Sequence, residues 1–167
     1  AAGDVTGKIM LAHVASRQAE GAVGRMLKQL PLQRLAYNAI PSVVYTNPEI
    51  ACVGLTEKDL NEIHEGDFAP SMSTDEPFVP YEVHQLPMTY SGRFVAENEG
   101  EMGLCKVIVD KRSKTVMGVH MIGNPCSEFV AAASFAVRMG YTVGEFKQVV
   151  FPHPTVAEVM REVIMEA

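Results

Sequence analysis

The order of the secondary-structure patterns along the chain constrains its fold more strongly than any single motif does. Four runs rich in β-branched residues are typical of strands, at residues 42–46, 50–55, 106–110 and 115–122. Helical spacing of apolar residues takes over after residue 126. Because the strands are gathered before the main helices, the sequence predicts an α+β domain, an antiparallel sheet covered by helices, and not a βαβ repeat.

Polar residues predict how these elements are connected. Residues 111–114 supply the short connection expected of an antiparallel hairpin between the last two strands. Ser127 is predicted to cap the long helix that follows, and Gly140 to end it. Three further pairs have the spacing of a capping box: Thr56 with Asp59, Thr142 with Glu145, and Thr155 with Glu158. Residues 65–80 contain three of the ten prolines and are predicted to form a long loop.

The first 38 residues have a different character from the rest of the chain. After a turn-rich start, apolar residues recur at helical spacing from Met10 to Met26, and Pro31 ends the pattern. A helix without a strand partner of its own is an unusual way to begin a domain. We therefore expect the chain to start inside a larger protein, with a boundary between residues 1–38 and residues 39–167.

Composition and charge exclude several classes of partner. The formal net charge is −6 and no cluster of Lys and Arg is present, which argues against nucleic acid and anionic membranes. No apolar run approaches the roughly 20 residues that span a bilayer, and the N-terminus has no signal-peptide pattern. The sequence also contains no GxGxxG, Walker or GxSxG motif. The charge and the lack of a long apolar run predict a chain that binds neither a nucleic acid nor a membrane.

Cysteine and histidine spacing predicts no metal site. Cys52, Cys105 and Cys126 form no CxxC motif and have no histidine at metal-ligand spacing. We expect them to be buried structural thiols in a reducing compartment. Four histidines are likewise expected to be packed or solvated: His13, His64, His84 and His120.

Residues 151–158 contain the strongest candidate for chemistry. His153 lies between two prolines, which stiffen its backbone and keep it non-helical before Pro154. Glu158 falls in the first turn of the predicted helix, where the helix dipole favours an ionised carboxylate. A carboxylate near an imidazole on a rigid turn is how a base is held in one tautomer. A capping box with Thr155 explains Glu158 equally well, so both interpretations stay open at this point.

The same segment carries a family resemblance. The motif His153-Pro154-Thr155-x-x-Glu158 near a C-terminus is similar to the signature of the pyridine-nucleotide disulfide oxidoreductases, which end in a dimerisation (interface) domain. The start of the chain, with residues 10–13, resembles the last segment of that family's FAD domain. The resemblance covers nearly the whole chain. It implies that residues 1–38 are the C-terminal tail of an FAD-binding domain and that residues 39–167 are a dimerisation domain.

Two longer segments resemble one branch of the family, the dihydrolipoamide dehydrogenases. They are residues 40–57, which include Thr46-Asn47-Pro48-Glu49, and residues 118–123. Glutathione reductases differ at residues 46–51, and mercuric reductases end in a cysteine pair that is absent here. These two reductase types stay open as alternatives, together with a stand-alone module that dimerises and binds no cofactor.

The resemblance implies a role for each matching residue. His153 would act as acid and base for the dithiol of the substrate, and Glu158 would orient it. The His153–Pro154 bond would be cis, and the histidine would serve the active site of the other subunit in a homodimer. A second set of residues would bind FAD: Asp4 at the ribityl chain, and Met10, Leu11, Ala12 and His13 at the flavin ring, where a helix N-terminus stabilises negative charge.

The whole enzyme implied by this resemblance oxidises protein-bound dihydrolipoamide with NAD, through FAD and a redox disulfide. Its partners would be a second copy and a lipoyl-bearing protein of a 2-oxo acid dehydrogenase or related complex. Its location would be the cytoplasm of a bacterium or the mitochondrial matrix of a eukaryote. The family's redox disulfide, GxGxxG loops and NAD domain have no match in this chain. We therefore expect the chain on its own to bind no FAD and to be inactive.

Overall fold

The structure, a computed structural model, describes residues 1–28, 35–65 and 80–167. The described residues form five strands: β1 (Ser42–Val44), β2 (Ile50–Gly54), β3 (Tyr81–Pro87), β4 (Leu104–Asp110) and β5 (Val116–Ile122). They also form six helices: α1 (Ala12–Met26), α2 (Glu57–Glu65), α3 (Gly92–Glu97), α4 (Cys126–Met139), α5 (Val143–Phe146) and α6 (Glu158–Glu166). The predicted α+β class is confirmed.

The strands form one antiparallel sheet in the order β1-β2-β5-β4-β3. β4 and β5 are joined by the predicted hairpin and pair along their length, with Val107 opposite Val119. β2 pairs with β5, with Ala51 opposite Met121, and so joins the hairpin of β1 and β2 to the centre of the sheet. The predicted antiparallel sheet is confirmed, and its edges are β1 and β3.

One face of the sheet is covered by two C-terminal helices. α4 packs against β2 and β5, and α6 packs against β3 and β4. Alternate residues of each strand face these helices. The side chains between the layers are apolar and fully buried, and they include Ala51, Val107, Met121, Val130, Ala133, Val159 and Val163. Burying a side chain of the size of valine contributes about 1.5–3 kcal/mol, so this packing fixes α6 and the turn before it against the sheet.

The opposite face of the sheet is covered in part by α2. Leu60 of α2 and Ile108 of β4 are fully buried outside the main core. Lys106 Nζ lies 2.6 Å from Glu57 Oε1, an ion pair that ties the first turn of α2 to the sheet. Across the described part of the chain, no helix is both long and apolar enough to cross a membrane.

Two of the predicted capping boxes are present. The Thr56 N–H donates to Asp59 Oδ2 at 2.8 Å, and the Asp59 N–H donates to Thr56 Oγ1 at 3.1 Å. Thr142 and Glu145 make the same reciprocal pair at the start of α5. Gly140 ends α4 with a φ of 66°, as predicted. These motifs form as expected because every partner is close in sequence.

The predicted cap of α4 is wrong. α4 begins at Cys126, so Ser127 lies inside its first turn, and no side chain caps the helix from Pro125. The backbone N–H of Ser127 donates instead to Glu49 Oε2 at 3.0 Å. Glu49 is 78 residues away in sequence. Its carboxylate satisfies a first-turn N–H that a local cap would otherwise take, at the positive end of the helix.

The N-terminal helix begins at Ala12 rather than at Met10. Val14 is its only buried residue, so α1 packs little against the rest of the described chain. The predicted helix end at Pro31 and nearly all of the predicted loop at residues 65–80 lie outside the described residues. The edge strand β3 and the short helix α3 were absent from the sequence prediction.

Candidate active site

His153 and Glu158 meet at the turn that precedes α6. His153 Nδ1 lies 2.9 Å from Glu158 Oε1, within hydrogen-bond distance. The His153 side chain is 82% exposed, whereas the Glu158 side chain is 21% exposed. Because Nδ1 faces Glu158 and the ring is largely exposed, Nε2 is open to a second partner. The bond between His153 and Pro154 is cis, as the family resemblance implies.

Glu158 also organises the turn itself. Its second oxygen, Oε2, accepts the backbone N–H of Thr155 at 2.8 Å. The Thr155 hydroxyl donates to the Pro152 carbonyl at 2.8 Å, and α6 has Ala157 at its N-cap with no side-chain cap. Only the Glu158 half of the predicted capping box is therefore present, because the Thr155 hydroxyl is used to close the turn around His153.

The electrostatics of the turn fix which nitrogen of His153 carries a proton. The hydrogen bond from the Thr155 N–H, and then that from His153, lowers the pKa of Glu158. The side chain is thus an ionised carboxylate at neutral pH and only accepts hydrogen bonds. The shared proton therefore lies on Nδ1 of His153. In the neutral ring the lone pair is on Nε2, the exposed nitrogen, so the turn presents a base at the surface of the domain.

A buried serine supports the turn from the neighbouring helix α3. The Ser91 hydroxyl donates to the Thr155 carbonyl at 2.9 Å and accepts the Phe94 N–H at 3.2 Å. Ser91 itself is 2% exposed. Sequence reasoning missed this residue because Thr155 lies 64 residues away. The only local signal is the N-cap spacing between Ser91 and Phe94.

The residues predicted to contact FAD lie together before and at the start of α1. Asp4 opens a short 3₁₀ helix, Asp4–Thr6, and is exposed. Met10 is 67% exposed, and Ala12 is exposed as well. Leu11 is the N-cap of α1 and makes no side-chain cap. The first-turn N–H groups of a long helix are thus left without a cap at this end.

His13 is the member of this group that contacts the sheet domain. Its Nε2 lies 2.9 Å from the Pro41 carbonyl oxygen, so it donates there. A cleft of about 220 Å³ adjoins it, and its lining includes Arg17, Leu35 and Arg138. Between His13 and the pair His153 and Glu158, the described residues show no hydrogen bond or ion pair. The two candidate sites are thus not brought together within one copy by direct polar contact.

The three cysteines are protonated, free thiols at neutral pH. Burial raises the pKa of Cys105 to about 12 and that of Cys126 to about 11. Both are fully buried, as predicted, whereas Cys52 is partly exposed, although burial raises its pKa too. Since the thiolate is the nucleophilic form, these residues are suited to packing. The described part of the chain holds no group of three or more His, Cys, Asp or Glu side chains fit for a metal ion.

His84 and His120, the other histidines whose side chains the structure describes, are half-buried in the sheet. His120 Nε2 lies 3.0 Å from the Leu55 carbonyl oxygen, and burial lowers the pKa of His120. His84 on β3 lies 3.6 Å from Glu82. Both agree with the prediction of packed or solvated histidines, and the side chain of His64 lies outside the described residues.

Comparison with known proteins identifies the family of the residues that form this site. Residues 40–164 match the family described as the pyridine nucleotide-disulphide oxidoreductase, dimerisation domain. The chain belongs to this family. The dimerisation-domain match includes the whole five-stranded sheet, and it also includes His153 and Glu158.

Relatives of this dimerisation domain are named dihydrolipoyl dehydrogenases. The chain is 34% identical over 171 residues to the mitochondrial dihydrolipoyl dehydrogenase of Caenorhabditis elegans. This match covers 100% of the chain and 30% of the relative. It is 35% identical over 155 residues to the dihydrolipoyl dehydrogenase of Haloferax volcanii. This match covers 92% of the chain and 29% of the relative. The chain thus spans less than a third of the length of these relatives.

Solved structures share the fold of the dimerisation domain and the segment before it. LpdA from Mycobacterium tuberculosis superimposes with a TM-score of 0.82 at 24% identity, over 99% of this chain and 32% of that one. The HOCl-induced flavoprotein disulfide reductase RclA from Escherichia coli gives a TM-score of 0.80 at 19% identity, over 99% of this chain and 34% of that one. At these identities the likeness concerns the fold.

Proposed function

We propose that this chain is the C-terminal part of a flavin-dependent dihydrolipoamide dehydrogenase and supplies His153 and Glu158 as an acid–base pair to a partner subunit. In this proposal residues 1–38 complete an FAD-binding domain and residues 39–167 form the dimerisation domain. The observation that carries it is the double use of Glu158, which binds the imidazole with one oxygen and the Thr155 N–H with the other. The names of the relatives support it.

The proton transfer follows from the tautomer of His153. A thiol of the substrate dithiol must lose its proton before its sulfur attacks a disulfide, because the thiolate is the nucleophile. Nε2 of His153 accepts that proton, and the ring becomes imidazolium. The Glu158 carboxylate stabilises the imidazolium from the Nδ1 side, 2.9 Å away. In the reverse direction the same imidazolium returns the proton to a thiolate.

The exposure of His153 favours a site that is completed by a second subunit. An imidazole that is 82% exposed acts in water, where electrostatic stabilisation is weak. Covering the ring with a partner excludes that water and strengthens the contact with Glu158. In the proposed homodimer the histidine of each subunit therefore faces the dithiol and disulfide of the other, an arrangement that two-fold symmetry repeats at both sites.

The outward side of α4 offers a surface for the second copy. Phe135 is 69% exposed and Met139 is 62% exposed. Ala131 and Ala132 beside them are exposed as well. Ala131, Phe135 and Met139 follow one another at a spacing of four residues, so they lie on one side of the helix. An exposed apolar patch of this kind marks a protein contact, and in a two-fold dimer it packs against its own copy.

The start of α1 fits one wall of a flavin site. Leu11 makes no side-chain cap, so the N–H groups of Ala12 and His13 are available at the positive end of the helix. In the proposal these residues and Met10 approach the flavin ring, and Asp4 binds the ribityl chain. Bound FAD would supply electron transfer between the dithiol and NAD. A single wall does not enclose so large a cofactor, so we expect the purified 167-residue chain to be colourless.

The remaining partners in this proposal are those of a dihydrolipoamide dehydrogenase. NAD would be the co-substrate, and a lipoyl-bearing protein of a 2-oxo acid dehydrogenase or related complex would deliver the dithiol. The location would be the cytoplasm in a bacterium or the mitochondrial matrix in a eukaryote. The relatives include a mitochondrial enzyme of a nematode and an enzyme of the bacterium Mycoplasma pneumoniae, so their names agree with both locations.

The experiment that tests the proposal is His153→Gln in the whole enzyme that carries this chain. Glutamine cannot shuttle a proton, so NAD-dependent oxidation of dihydrolipoamide should fall by about 10²- to 10⁴-fold. FAD content, dimerisation and Tm should hold, because glutamine is close to histidine in size and the His153 side chain is 82% exposed within its own subunit. His84→Gln, on the edge strand β3, is the matched control and should keep full turnover. Wild-type turnover in His153→Gln would overturn the proposal.

A further inference from the structure

Ser91 is the one polar residue that is buried among the residues the structure describes. A buried hydroxyl is costly unless it is hydrogen-bonded, and that of Ser91 makes two bonds. It accepts the Phe94 N–H at 3.2 Å, which caps α3, and it donates to the Thr155 carbonyl at 2.9 Å. The second bond joins α3 to the turn that holds His153. The fold has therefore buried one hydroxyl at the junction between a helix and the candidate active site.

The contacts of Thr155 lead from this serine to the imidazole. The carbonyl of Thr155 is held by Ser91, and its N–H is held by Glu158 Oε2 at 2.8 Å. Glu158 Oε1 in turn binds His153 Nδ1 at 2.9 Å. We propose that Ser91 is a positioning residue for His153, which acts by fixing the Thr155 backbone that Glu158 must reach. This inference rests on the proposed function only where a rate is measured.

His153 depends on this support because its ring has little packing of its own. The side chain is 82% exposed, so its orientation comes from the turn and from the single hydrogen bond with Glu158. Val156, which follows the turn, is buried and anchors the start of α6. That anchor holds the position of the chain, whereas the Ser91 bond sets the orientation of the Thr155 carbonyl. The carbonyl and the N–H of Thr155 belong to two planar peptide groups that meet at its Cα. Loss of the Ser91 bond therefore acts on the N–H by freeing Thr155 to change its φ and ψ, which alters the direction in which the N–H points at Glu158.

Nitrogen-15 NMR of the ring in the 167-residue chain tests this inference without any catalysis. At a pH about two units above the ordinary imidazole pKa, the wild-type ring should carry its proton mainly on Nδ1. Ser91→Ala should make the Nδ1 and Nε2 tautomers comparably populated. Thr142→Ala is the matched control, because it removes the N-cap of α5, whose side-chain hydrogen bonds are with Glu145 and not with the turn. It should lower Tm and leave the wild-type tautomer of His153 unchanged.

A tautomer in Ser91→Ala that equals the wild type would overturn the inference. If Ser91→Ala does not fold, Ser91→Cys replaces it, since a thiol fills the site but donates only weakly. A wild-type tautomer in a folded Ser91→Cys chain would overturn the inference as well. Ser91→Thr keeps the hydroxyl and should keep the Nδ1 tautomer of the wild type.

Turnover in the whole enzyme gives a second readout. A misplacement on the order of 1 Å can cost about 10²-fold in rate, so Ser91→Ala should lower kcat by about 3- to 30-fold with a smaller change in KM. If His153→Gln keeps wild-type turnover, the proposed function fails whatever the result for Ser91. If His153→Gln is inactive and Ser91→Ala has wild-type kcat and tautomer, only the role of Ser91 fails.

Discussion

Glu158 Oε2 accepts the backbone N–H of Thr155 at 2.8 Å, and this oxygen is not the one that binds the imidazole. The two oxygens of one carboxylate thus serve two different partners. One bond stabilises the turn before α6, and the other fixes the tautomer of His153. Because the two roles need different hydrogen-bonding groups, a substitution that keeps one and reverses the other separates them.

Glu158→Gln is the substitution that does so. The amide oxygen still accepts the Thr155 N–H, but the amide NH₂ donates toward Nδ1 of His153 and moves the ring proton to Nε2. We expect turnover in the whole enzyme to fall by about 10²- to 10⁴-fold, as for other bases held in the wrong tautomer, with little change in Tm. Glu145→Gln alters an equivalent cap without an imidazole partner and should keep full turnover. Full turnover in Glu158→Gln would reduce Glu158 to a turn-forming residue.

Stability should fall as the pH is lowered into the acid range. Backbone N–H donors at the helix starts are the main cause of the lowered pKa of Asp59, Glu145 and Glu158. A carboxylate with a lowered folded pKa stabilises the fold fully above its unfolded pKa, about 3.9 for Asp and 4.3 for Glu, and that stabilisation is lost as the pH falls through the folded pKa.

Thermal unfolding of the 167-residue chain between about pH 7 and about pH 3 measures this dependence. Tm should be nearly constant near neutral pH and should fall below about pH 4.5. Glu145→Gln should have a shallower fall than the wild type, because it removes one of the three titrating caps. The same slope in both proteins would show that Glu145 titrates alike in the folded and unfolded chains.

The start of α4 should depend on Glu49 and not on Ser127. Glu49 Oε2 accepts the Ser127 N–H at 3.0 Å, whereas no side-chain cap comes from the helix itself. Glu49→Ala should therefore lower the free energy of unfolding by about 1 kcal/mol, as the loss of a cap does. Ser127→Ala keeps the backbone N–H and should stay within about 0.5 kcal/mol of the wild type. Denaturant unfolding of both variants checks this, and a reversed order would restore Ser127 as the cap.

Dimerisation should depend on the outward side of α4. Phe135→Ser removes the largest exposed apolar side chain of that helix, which is 69% exposed, and should weaken the dimer by at least about tenfold in Kd. Met102→Ser removes an apolar side chain that is 86% exposed in the segment before β4, and should leave Kd unchanged. Sedimentation of the 167-residue chain at micromolar concentrations distinguishes the two. Equal dimerisation in both variants would place the contact on another surface.

The parts of the fold that were predicted from the sequence are those stabilised by near neighbours. Thr142 and Glu145 cap α5 within one turn, and β4 and β5 pair across a short connection. The strand β3 was not predicted because its core-facing side carries Glu82 and His84 beside the buried Leu86. Those polar residues are tolerated at an edge, where Glu82 binds Lys114 at 2.8 Å, and they hide the alternation that marks a strand.

In the candidate site, too, the contacts between residues close in sequence were predicted and the distant ones were not. The spacing of His153 and Glu158 and the family resemblance identified the pair, whose atoms the structure places in contact. The hydroxyl of Thr155 was assigned to a helix cap, but it binds Pro152. Ser91 was not predicted, because no pattern within one segment of sequence reveals a partner 64 residues away.

Because β5 lies between β2 and β4, the sheet cannot be completed during synthesis until β5 has been translated. The chain emerges from its N-terminus, so the hairpin of β1 and β2 is exposed before its neighbour β5 has been made. A two-stranded hairpin is at best marginally stable in water. Glu49, in the loop that connects the two strands, likewise has its helix partner 78 residues later in the chain. Until β5 and α4 have been translated, the edge of β2 stays unpaired and the apolar side of the hairpin stays uncovered.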